Sequence, residues 1–63
     1  MTKRAIFMVV SLIARNLEKE YRELMLALLA SGTSSYIIKE CLQPIGEQIV
    51  YLLALEEKMR KEV

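Results

Sequence analysis

Sixty-three residues allow one domain at most, and a chain of that length has little interior of its own. It carries no His, no Asp and no Trp, and a single cysteine, Cys41. That excludes a His-based nucleophile relay, a zinc or iron site built from several Cys or His ligands, and an internal disulfide. Nine Lys and Arg against eight Glu leave a net charge of +1, far from the basic excess of a dedicated nucleic-acid binder. Without a disulfide framework, an intracellular, reducing compartment is the expected location.

The chain opens with Met1-Thr2-Lys3-Arg4 and an apolar run from Ala5 to Ala14, which imitates the start of a secretory signal. The run is too short to span a bilayer, which takes about 20 residues, and it passes directly into Arg15, Glu18, Lys19 and Glu20. A membrane anchor is therefore not expected. Instead, Phe7, Val10, Ala14, Leu17, Tyr21, Leu24 and Leu28 follow a strict three-four spacing. These are the alternating a and d places of a heptad, and they predict a helix over about residues 3–30. Ile6, Ile13, Met25 and Ala27 sit beside that seam and widen it into a bundle-type face.

Ser31-Gly32-Thr33-Ser34-Ser35 is the one cluster of breakers and forms the loop. Gly32 suits a helix C′ position with positive φ, and the Thr33 or Ser34 hydroxyl can cap the next helix. A second helix is expected over about residues 36–61. Its stripe is Ile38, Leu42, Ile45, Ile49, Leu52, Met59 and Val63, flanked by Cys41 and Leu53 and broken in spacing only by Glu56. Pro44 removes a backbone donor inside this helix and is expected to kink it; Gly46 weakens the same stretch. Cys41 reads as an inert core thiol at helical spacing.

Two helices of equal length joined by a short loop make an antiparallel hairpin, and two helices cannot enclose a core. The expected fold is all-α: a helical hairpin that dimerises into a four-helix bundle. Its core would be built by Phe7, Val10, Leu17, Leu24, Leu28, Ile38, Leu42, Ile45, Ile49 and Leu52. At the open end, Glu56 is expected to pair with Arg60 and Glu57 with Lys61. Lys3 and Arg4 would approach Glu56, Glu57 and Glu62 across the hairpin.

Three surface features are left for function. Arg15, Lys19 and Arg22 form a basic row that a dimer would duplicate and that could track phosphates, but Glu18 and Glu23 interrupt it. Leu12 and Leu26 lie opposite the seam of the first helix, while Val50 and Tyr51 fall outside the seam of the second. Apolar residues on an outer face mark partner contact. Tyr36 opens the second helix, placed to act as a lid on the bundle end. No catalytic, cofactor-binding or metal-binding residues are assigned.

The length, the Met1-Thr2-Lys3-Arg4 start and two long striped helices around Ser31-Gly32-Thr33-Ser34-Ser35 resemble the small helical-hairpin protein of fuselloviruses, the spindle-shaped viruses of hyperthermophilic archaea. The resemblance implies a thermophilic viral protein working in the host cytoplasm as a dimeric four-helix-bundle adaptor between macromolecules, without catalytic residues or cofactor. The expected function is accordingly a non-enzymatic adaptor or scaffold. Its partners would be a second copy and an unidentified host or viral protein, bound through Leu12, Leu26, Val50 and Tyr51. The alternative is a weak nucleic-acid-binding regulator, similar in fold to the Rop-like RNA-binding bundles, using Arg15, Lys19 and Arg22. A third reading, association with a membrane surface through the apolar first half-helix with Lys3 and Arg4, ranks below both.

Overall fold

The computed structural model describes residues 2–63 and contains two helices, α1 (Lys3–Ala30) and α2 (Ser35–Arg60), packed side by side as a hairpin. The rod measures 45 × 14 × 14 Å. Each helix begins on a hydroxyl. Thr2 Oγ1 accepts from the Ala5 amide at 3.1 Å, and Ser34 Oγ accepts from the Ile37 amide at 3.4 Å. These contacts satisfy amide donors that the first turn leaves without a backbone partner.

The end of α1 is set by Gly32, whose φ of +75° is the left-handed conformation that side chains disfavour. With Gly32 turned this way, its amide donates to the Leu29 carbonyl at 3.1 Å and the Thr33 amide donates to the Leu28 carbonyl at 3.2 Å. This doubly bonded reversal is the Schellman motif. It turns the chain within residues 31–34 and aims α2 back along α1.

α2 runs without interruption through Pro44. The proline ring cannot donate to the Glu40 carbonyl, yet both residues are exposed, so water can take the freed acceptor. Two residues on, Gly46 lies against Tyr21. A Cβ there would stand 3.6 Å from the Tyr21 ring, which shows how closely the backbone of α2 approaches that side chain. That distance is ordinary van der Waals contact, so the close approach does not itself require a glycine at position 46.

The heptad register sorts every side chain. In α1, Phe7, Ala14, Tyr21 and Leu28 point at α2; in α2, Leu42, Ile49 and Glu56 point back. Four residues beyond each of these the chain turns to one side of the hairpin, presenting Ser11, Glu18 and Met25 from α1 with Gly46, Leu53 and Arg60 from α2. We call this the charged face. Three residues beyond, it turns to the opposite side, presenting Val10, Leu17 and Leu24 with Ile45, Leu52 and Met59. This is the apolar face.

Burial corrects the expected core. Ala14 and Leu42 are the only buried apolar residues among those described. Phe7, Val10, Leu17, Leu28, Ile38, Ile45, Ile49 and Leu52 are half-buried, and Leu24 is exposed. Cys41, expected in the core, is exposed in the hairpin because its position turns toward the edge of the apolar face. Tyr36, expected as a lid on the bundle end, is 72% exposed. Apart from Ala14, Leu42 and Glu56, two helices leave the seam residues one covered side and one open side.

Candidate functional site

The most organised side-chain cluster lies in the open-end half of the hairpin, around Glu56. The sequence marks Glu56 as an interruption of the stripe, but it occupies the seam itself and is only 4% exposed. Arg15 reaches across from α1, its Nη2 donating to Glu56 Oε1 at 3.1 Å and Oε2 at 3.3 Å. The other end of the same guanidinium, Nη1, donates to Glu18 at 2.9 Å. Arg60 approaches from the next turn of α2, 3.8 Å from Glu56 Oε1, and bonds Glu57 at 2.7 Å. Its guanidinium carbon also lies 5.8 Å from the centre of the Phe7 ring, a cation–π contact.

Ser11 completes the surroundings. Its Oγ is buried and meets no partner at full hydrogen-bond geometry, but it faces the carboxylate. The Ser11 hydroxyl, followed by the charges of Arg15 and Arg60, holds the Glu56 carboxyl below its ordinary range, against the opposing effect of desolvation. The carboxylate thus stays ionised at neutral pH and is engaged by two guanidinium groups. Chemically this is an ionic clasp between helices, placed where the loop no longer holds them together.

The expected ion pairs are redistributed accordingly. Lys3 and Arg4 do not reach Glu56, Glu57 or Glu62; Arg15, about three turns further along α1, supplies the interhelical cation. Glu57 takes Arg60 rather than Lys61, and Glu18 takes Arg15. Of the basic row, Arg15 is therefore turned inward and doubly paired. Lys19 stands 4.0 Å from Glu23, and Arg22 borders a groove on the charged face. That groove, about 330 Å³, opens over Gly46 and is walled by Tyr21, Met25 and Ile49 with Glu18 and Arg22 at its rim.

The four residues expected to contact a partner do not form one surface. Leu12 and Leu26 are exposed on the back of α1, whereas Val50 and Tyr51 are exposed on α2. The width of the hairpin separates the two pairs. Tyr51 borders two shallow hollows, one with Pro44, Glu47, Gln48 and Leu52 and one with Ala54, Leu55 and Lys58. Sequence reasoning missed Glu56 and Ser11 as organising residues. The available signal was register: Ser11, Arg15 and Glu18 follow a three-four spacing on one side of α1, toward the seam position of Glu56.

Among the described residues no helix is long and apolar enough to cross a membrane, and no group of three or more His, Cys, Asp or Glu is placed to hold a metal ion. The fold and the clasp define the class as an all-α two-helix hairpin with an ionic lock at its open end. No protein-family model matches the chain, and no curated protein or solved structure matches it either.

Proposed function

We propose that this protein is a homodimeric four-helix bundle acting as a non-enzymatic adaptor or scaffold, a second copy closing the core and the outer surfaces meeting host or viral macromolecules. The observation that carries the reading is the unfinished core. A chain with 54% apolar residues leaves all but two of its described apolar side chains at least partly open to solvent. Large exposed apolar surface is a mark of association. The most ordered polar cluster is an ionised carboxylate bridged to arginines, an arrangement suited to fixing two helices rather than to proton transfer. The resemblance to the fuselloviral hairpin protein supports the same reading, with the host cytoplasm as its place of work.

Sedimentation equilibrium at micromolar concentration tests the dimer, and a monomer there would overturn the reading. Fluorescence titration against duplex DNA and structured RNA tests the adaptor against the nucleic-acid alternative. Saturable binding that weakens steeply with salt, and is lost in a Lys19→Glu/Arg22→Glu variant, would replace the adaptor reading with the regulator. Arg15 is left intact in that variant because it holds Glu56.

A further inference from the structure

We infer that the second copy docks on the apolar face, with the loops of both hairpins at the same end of the bundle. This rests on the dimer reading above and adds which surface meets which, and in what orientation. The area argues for one such docking event. The hairpin exposes 4943 Å², whereas a compact monomer of its 7.3 kDa exposes roughly 4,200 Å². The excess of roughly 700–800 Å² is close to the 800 Å² or so that each partner buries in a standard interface.

The choice of face follows from charge. Along the apolar face, Ile13, Leu17, Leu24, Ile45, Leu52 and Leu55 form a continuous surface. Its polar interruptions are Lys3 and Glu62 at the open end and Glu20 with Gln48 at mid-length. The charged face, by contrast, is occupied by the clasp and its paired arginines. Covering that face would strip water from charges already paired, at a desolvation cost with no new partner to offset it.

Orientation follows from axial level. Tyr21 lies beside Gly46 and Phe7 beside Arg60, so the numbers of level residues add to about 67. A two-fold axis along the bundle lays α1 over α2 of the second copy. Within a turn of helix, Glu20 then meets Gln48, Lys3 meets Glu62, Ile13 meets Leu55 and Ala27 meets Cys41. Polar groups face polar groups, and Cys41 becomes covered. The other two-fold, across the bundle, lays Glu20 over Ile13, Gln48 over Leu55 and Cys41 over Glu62. That sets polar groups on aliphatic ones, at a desolvation penalty.

Two measurements test the inference. Ile13 is 47% exposed and its neighbour Leu12 is 62% exposed, but they sit on different sides of α1. Ile13→Glu is expected to weaken dimerisation by about 100-fold in sedimentation equilibrium, and Leu12→Glu to leave it unchanged. A dimer indifferent to Ile13→Glu, or broken by Leu12→Glu, overturns the face while leaving the dimer reading standing. The second measurement leaves the face intact: spin labels at position 35 in a Ser35→Cys/Cys41→Ala chain, read by pulsed dipolar spectroscopy in the dimer. Loops at one end place the labels within about two helix diameters, roughly 20 Å. A separation near the 45 Å length of the rod overturns the orientation.

Discussion

The two long faces of the hairpin are made by the same two helices, at positions three and four residues from a shared seam, yet they are finished differently. On the charged face, Arg15 bridges Glu18 and Glu56, Arg60 bridges Glu56 and Glu57, and the Tyr21 ring lies against Gly46. Its main polar groups find partners inside the chain. On the apolar face, Leu24 and Ile13 stand open to solvent and Ile45 and Leu52 are half-covered. Charged groups can be satisfied in pairs at a surface, but an aliphatic side chain is satisfied only by being covered. The charged face thus has its central charges paired within the chain although Leu53 stays exposed on it, whereas the apolar face presents aliphatic side chains that need a second surface. The clasp also works without the loop, since it joins the helices at the end where no covalent turn does so.

The largest effect on stability is expected in the seam that both faces share. Leu42 is one of the two buried apolar residues, so Leu42→Ala leaves a void that a two-helix layer cannot refill. We expect a loss of about 3 kcal/mol in urea unfolding followed by circular dichroism. Leu26→Ala, on the exposed back of α1, is expected to change stability by less than about 0.5 kcal/mol. Comparable losses from both variants would mean that the back of α1 is itself covered in solution, and the contrast between faces would fail.

A smaller effect is expected from the clasp. Arg15→Ala removes the interhelical cation and leaves the Glu56 carboxylate facing the seam with Arg60 alone. The variant is expected to be less stable than the parent at pH 7, by less than Leu42→Ala. Lys19→Ala, whose contact with Glu23 spans 4.0 Å between exposed groups, should be indistinguishable from the parent. Equal behaviour of the two arginine and lysine variants would reduce the clasp to an ordinary surface pair. Glu56→Leu is expected to cost little or to stabilise, because an aliphatic side chain fits the seam and the freed Arg15 can turn to solvent or remain on Glu18.

Much of the fold was legible because it is repetitive. The three-four spacing gives two helices, the Ser31–Ser35 cluster gives the turn, and together they yield the antiparallel hairpin found here. The clasp was not legible for a physical reason. Glu56 was read one residue at a time, as a polar break in an apolar stripe, whereas its placement depends on a cation contributed 41 positions away. Pairing by nearest charge along the rod favoured Lys3 and Arg4; the long Arg15 side chain, one turn from Ser11 on the charged side of α1, reaches the seam first. Burial falls short of the apolar stripe for the opposite reason. The stripe contains enough apolar residues for a bundle core, but a single hairpin supplies half of the walls, which is why Cys41 and Leu24 are exposed here.

The smallest expected effect discriminates most finely within the charged face. Ser11→Ala removes a buried hydroxyl that lacks a full hydrogen bond, which relieves a desolvation cost, and it also removes the leading influence holding the Glu56 carboxyl down. These changes oppose each other, so stability at pH 7 should barely move. The acid limb should move. Because the folded-state pKa of Glu56 is lowered, its contribution is present above the ordinary carboxylate value and is lost as pH falls through the folded value. Raising that folded value by Ser11→Ala narrows the gap, so the acid loss should begin at the same pH but level off at a higher pH and be smaller in total. Unfolding curves collected between about pH 2 and pH 6 would detect it. An unshifted acid limb would assign the lowered pKa to Arg15 and Arg60 alone, making the clasp purely ionic and the Ser11 hydroxyl a polar group buried to no electrostatic effect.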